Sequence, residues 1–187
     1  MNRPKEVDGP KVSADVADWS REEPRRFWDP SSKLLRSIRR YQYWSERGGL
    51  VANVISKVAA LRYGFWTVIT GAEIPINCNI GGGLLIPHAN GIVIHPDVKI
   101  GVNCLIFQQV TIGTRDIPGV PVIEGHVDIG AGARILGPIH IGAHARIGAN
   151  AVVLSNVPTG AVAVGIPAKV IVDSTSDPTM VSNALNS

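Results

Sequence analysis

The chain has 187 residues and a net charge of +3, with 45% hydrophobic and 18% charged residues. That length suits one core with a short appendage, and a modest charge with no recognisable reading module excludes nucleic acid as the expected partner. The two cysteines, Cys78 and Cys104, form no disulfide framework; as buried thiols they fit a reducing, cytoplasmic setting.

Residues 1–28 are polar and charged and lack the apolar segment of a secretory signal, so composition predicts a flexible N-terminal arm. A helical segment is expected over 29–70. Asp29-Pro30 reads as a helix start, the aspartate capping orphan N–H groups and proline taking the first helical position. Leu34, Leu35, Ile38, Tyr41, Tyr43 and Trp44 make an apolar face, and Gly48-Gly49 ends it. A second helix from about Leu50 carries Val51, Val54, Ile55, Val58, Leu61 and Phe65 at helical spacing. Lys57 and Arg62 interrupt this apolar run, which favours a protein-packed helix over membrane-surface association. The basic cluster of Arg25, Arg26, Lys33, Arg36, Arg39 and Arg40 reads as a solvated helix face. Two short helices cannot build a core, so they must pack on the rest of the chain or on another subunit.

Residues 71–172 follow a six-residue rhythm. Isoleucine or valine returns at Ile123, Ile129, Ile135, Ile141, Ile147 and Val153, and upstream at Ile74, Ile80 and Ile86, then Ile94, Ile100, Ile106 and Ile112. Neither the 3.6 period of a helix nor the two-residue period of a strand fits, whereas a short strand plus a tight turn does. Three such units make one coil of a triangular parallel β-helix, whose apolar rows are buried by stacking coil on coil. A second row four residues on runs from Cys78, Leu84 and Val98 to Ala151 and Val157. Two interruptions break the rhythm: Pro87–Gly91, and the stretch from Gly113 to Pro121. The stacked interior holds no extra residue, so each must leave as a loop at a corner, where function usually sits. Residues 173–187 are expected as a loose tail.

His88, in the first extrusion, is the strongest catalytic candidate. Glu73 lies almost one coil earlier, and stacking is expected to bring its carboxylate beside the His88 turn as a dyad, the carboxylate orienting an imidazole that accepts a hydroxyl proton. His140 and His144 are four apart but not on a helix, so that spacing makes no metal pair; these two with His95 and His126 read as structural or solvent-facing, and no metal is expected.

From Gly71 to Ile171 the chain resembles the hexapeptide-repeat acyltransferases, most closely the serine acetyltransferase family and its relatives in polysaccharide gene clusters. The resemblance rests on Glu73-Ile74-Pro75, Pro87-His88-Ala89-Asn90-Gly91-Ile92-Val93-Ile94, Gln109-Val110-Thr111-Ile112-Gly113, Ile129-Gly130-Ala131-Gly132-Ala133-Arg134, Ile147-Gly148-Ala149-Asn150-Ala151 and Val164-Gly165-Ile166-Pro167-Ala168-Lys169. It implies a mainly β, left-handed parallel β-helix with a short N-terminal helical segment, homotrimeric assembly, acetyl-CoA as donor and an active site between subunits. It further implies that His88 is the general base and that Glu73, standing where the family has aspartate, orients it. Donor contacts carry over to Gly113, Thr114, Ala131, Gly148 and Ala149 along the groove, with Arg146 and Lys169 at the phosphates. Acceptor contacts carry over to Asp29, Pro87 and Asn90.

The acceptor match is imperfect. Pro87 replaces an aspartate that grips serine, and Gly119-Val120-Pro121 replaces an Arg-His-Pro segment. A zwitterion needs paired partners when desolvated, so these losses tilt the expectation from L-serine toward a saccharide hydroxyl. Two rivals share the fold: a zinc lyase of the γ-carbonic-anhydrase kind, whose histidine spacing this chain does not follow, and a non-catalytic scaffold. Because Ile135 is read as inward-facing, Ile135→Asp is expected to destabilise the chain severely; an unchanged melting temperature would refute the assignment.

Overall fold

The computed structural model describes residues 12–171. The flexible tail expected over 173–187, and the first eleven residues, lie outside them. Helix α1 spans Pro30–Ser45 and α2 spans Leu50–Thr70. Asp29 caps α1 by accepting from the Ser32 N–H at 3.1 Å, and Gly71 ends α2 in the left-handed conformation that glycine adopts without strain.

After Gly71 the chain winds into a three-faced prism. One face stacks the strands Asn79–Ile80, Lys99–Ile100, Val122–Ile123 and His140–Ile141 in parallel. A second stacks Leu105–Ile106, Asp128–Ile129, Arg146–Ile147 and Val162–Gly165, and is closed by the antiparallel strand Ala168–Ile171. The third stacks Val93–Ile94, Thr111–Gly113, Arg134–Leu136 and Val152–Val153. Registration is residue on residue, Ile80 on Ile100 on Ile123 on Ile141. Every row residue from Ile74 to Val153, and every second-row residue from Cys78 to Val157, is buried. The interior is therefore a filled column of side chains. Burial pushes the thiols of Cys78 and Cys104 up to about 11, so neither is a thiolate at neutral pH.

An end coil of such a column presents unpaired carbonyls, and α1 covers them. Gln42 donates to the Ile76 and Cys78 carbonyls, and Arg39 donates to those of Ile80 and Gly81. Leu34, Leu35 and Ile38 seal the interior from the same helix. Arg39 also pairs with Glu22, which is 6% exposed and accepts in turn from the Leu84 N–H. The solvated-face reading of the basic cluster therefore fails at Arg39, whose guanidinium joins three segments.

The expectation of a flexible arm over 1–28 is likewise corrected for the part that is described. A short 3₁₀ turn, Trp19–Glu22, lies against the coil, with Arg21 donating to the carbonyls of Gly83 and Asn103. The buried Asn103 amide accepts from the Asp18 N–H and donates to the Ser13 and Val16 carbonyls, each at 2.7 Å. The Gly81-Gly82-Gly83 triplet makes this approach possible, since a Cβ at Gly82 would stand 2.6 Å from the Trp19 ring. Composition marks this segment as polar; its order comes from buried hydrogen bonds that join it to residues some 85 positions away.

Asn103→Ala strips three of those bonds and is expected to cost about 1–3 kcal/mol. The check is limited proteolysis: cleavage within residues 13–22 should accelerate while the β-helix stays resistant.

Candidate active site

The first interruption leaves the prism at Pro87–Gly91, with Ala89 buried beneath it and His88 and Asn90 exposed. The Gly91 N–H donates to the Gly71 carbonyl, which ties the extrusion to the end of α2. Between this loop and the start of α1 lies a hollow of about 530 Å³ lined by Arg25, Arg26, Asp29, Pro87, His88 and Asn90, with Trp28 and Ile69 at its apolar side. The capping carboxylate of Asp29 also accepts from the Arg25 N–H at 3.2 Å, which folds the arginine segment back over the helix start. Cationic and anionic groups thus share one cavity with the imidazole. The sequence reading missed Arg25 and Arg26; the available signal was that they sit within five residues of Asp29.

Glu73 is elsewhere. It bridges Val93 on the third face and lines a second groove of about 600 Å³, with His95, Thr111, Gly113, Thr114 and Leu136. Among the described residues no hydrogen bond joins Glu73 to His88. Glu73 and His88 line different hollows of the chain. His95, read as solvent-facing, lines the Glu73 groove; its Nδ1 accepts from the Asp97 N–H at 3.3 Å.

The residues expected to contact the donor also fall into two sets. Gly113 and Thr114 end a strand of the third face, in the Glu73 groove. Ala131, Gly148 and Ala149 form the turns after the second-face strands, with Ala131 accepting from the Asn150 N–H. Arg146 lies on that face, and Lys169 on the closing strand opposite Val164. A Cβ at Gly148 would stand 2.7 Å from the Val164 side chain, so any side chain here would have to displace Val164. The Thr114–Gly119 loop is exposed.

The other histidines form a separate corner. His126 and His144 meet Nδ1 to Nδ1 at 2.7 Å, and His140 pairs with Glu124 at 3.1 Å. Burial holds the His126 imidazole below its ordinary value. Among the described residues no group of three or more histidine, cysteine, aspartate or glutamate side chains is placed to hold a metal ion.

No family model matches the chain. A serine acetyltransferase of Mycobacterium tuberculosis is 39% identical over 142 residues, covering 74% of this chain and 60% of that protein. One of Helicobacter pylori is 48% identical over 106 residues, covering 55% and 62% respectively. Among solved structures, a serine acetyltransferase in complex with CoA superposes with a TM-score of 0.64 at 33% identity, covering 78% of this chain and 58% of that one. A soybean serine acetyltransferase complexed with serine gives 0.64 at 32% identity, covering 76% and 57%. The prism of residues 71–171 is accordingly a left-handed parallel β-helix of the hexapeptide-repeat acyltransferase class. Within that class the chain is similar to serine acetyltransferases, and it spans about three-fifths of the length of the relatives it matches.

Proposed function

We propose that this protein is an acetyl-CoA-dependent O-acetyltransferase acting on a serine-type amino acid. The observation that carries the acceptor assignment is the hollow at His88, where Arg25 and Arg26 stand with Asp29 around one cavity. A free amino acid carries a carboxylate and an ammonium, and such a site offers each an opposite charge. The sequence-based tilt toward a saccharide rested on the lost Arg-His-Pro and aspartate contacts. It counted no cation near His88, and the arginines of the N-terminal segment remove that reason. The relatives named above are serine acetyltransferases, and a soybean serine acetyltransferase has been solved complexed with serine.

The reaction is direct transfer. The acceptor hydroxyl passes its proton to His88 as its oxygen attacks the thioester carbonyl, giving a tetrahedral oxyanion. Collapse of that intermediate breaks the C–S bond, and the imidazolium returns the proton to the departing thiolate, so the products are the acetyl ester and CoA thiol. Donor contacts come from Gly113, Thr114, Ala131, Gly148 and Ala149, with Arg146 and Lys169 meeting the phosphates. Because Glu73 and His88 occupy separate cavities of one chain, the working site is composite: the His88 hollow of one subunit faces the Glu73 groove of its neighbour in a homotrimer. The carboxylate then fixes the imidazole tautomer across the interface.

His88→Ala is expected to lower kcat roughly 10²–10⁴-fold without altering the assembly. Refolding that variant together with Glu73→Ala should restore activity, since mixed trimers contain sites with both residues intact; no restoration would refute the shared site. Asp29→Asn keeps a good helix cap, so folding stability should change by less than about 0.5 kcal/mol. The same variant loses the charge that meets the ammonium, and the KM for L-serine should rise at least tenfold. Thiol release from acetyl-CoA with sugars but not with L-serine would overturn the acceptor assignment.

A further inference from the structure

The outer face of α2 has no partner among the described residues. Val51, Val54, Val58, Leu61, Phe65 and Val68 alternate three and four residues apart along one side, and each is more than half exposed, up to 82% at Val68. The stripe is about 26 Å long at the helical rise per residue. At its C-terminal end Phe65 meets Trp66 edge-on, Trp66 meets Trp28, and the Lys33 ammonium lies over the Trp28 and Trp66 rings and over Phe27, which is 93% exposed. The stripe therefore ends in an aromatic cluster with a cation set in it.

Charge decides what covers this face. Helix α2 contains no aspartate or glutamate, and α1 contains none either. Lys57 and Arg62 flank the stripe, and Arg36, Arg40 and Arg62 line one hollow between the two helices. Among the described residues none of these four cations has a carboxylate within salt-bridge distance. The alternating spacing would also suit a helix–helix seam, but such seams select their partner through opposite charges at the flanking positions. A second copy of α2 would instead set Lys57 and Arg62 against the same cations. An anionic lipid surface satisfies both features at once: the apolar stripe enters the boundary between head groups and acyl chains, aromatic rings sit at head-group level, and the basic rim meets lipid phosphates.

We propose that α2 docks this protein onto anionic membrane surfaces, lying in the interface plane. None of the described helices is long and apolar enough to cross a membrane, which agrees with docking rather than spanning. Trp28, which meets Trp66 at the end of the stripe, also lines the His88 hollow. This inference does not rest on the acceptor assignment.

The test is co-sedimentation of the full chain with phosphatidylcholine vesicles, with and without one third phosphatidylglycerol, alongside its size in solution without lipid. Binding is expected to be at least tenfold stronger to the anionic vesicles and to be reversed by high salt. Each of Lys57→Glu and Arg62→Glu should weaken it about fivefold or more, and Leu61→Asp should abolish it at unchanged oligomer size. Failure to sediment with anionic vesicles, equal binding to both vesicle types, or a change of oligomer size in lipid-free Leu61→Asp would overturn the proposal. The last result would assign the face to a second copy of the chain.

Discussion

Residue-on-residue registration of successive coils is the constraint from which the rest of the molecule follows. Each coil donates backbone N–H groups to the carbonyls of the next, and each inward side chain rests on its equivalent one coil away. Where two coils approach most closely a Cβ has no room: one added at Gly101 would stand 2.5 Å from the backbone of Glu124. A column so regular rejects any extra residue, so surplus chain can leave only at the corners. Both interruptions do so, and the first carries His88.

A stacked column must also end, and its first coil exposes carbonyls that no further coil will pair. Gln42 and Arg39 satisfy them from α1, and Arg39 then needs a counter-charge in a partly buried setting. Glu22 supplies it, and with Asn103 it holds the N-terminal segment against the coil. One outcome of this capping is chemical: the chain between Glu22 and α1 is short, so Arg25 and Arg26 are delivered to the mouth of the His88 hollow. End-capping and the charge of the His88 hollow thus have a common cause.

The separation of His88 from Glu73 has a related origin. In a prism, residues share a site only if they stand on the same face or turn the same corner. Glu73 and His88, fifteen residues apart in the sequence, line different cavities. A chain of this shape joins them most simply by placing one subunit's corner against the next subunit's face, which is the arrangement proposed for the working site.

Periodicity by itself determined the β-helix, both inward rows and the two extrusions, because six-residue repetition admits no other packing of one isoleucine per short strand. The cap at Asp29 and the break at Gly48-Gly49 were equally local and equally legible. Long-range pairing was not. Nothing in the composition of residues 13–22 distinguishes a segment held by a buried asparagine from a polar flexible arm, and nothing in a run of arginines marks Arg39 as the one turned inward. The same limit applies to Glu73 and His88, whose sequence separation suited a stacked pair but which line different cavities. Only the tertiary structure decided these matters, because hydrogen bonds and charges brought together from distant positions leave no period in the sequence.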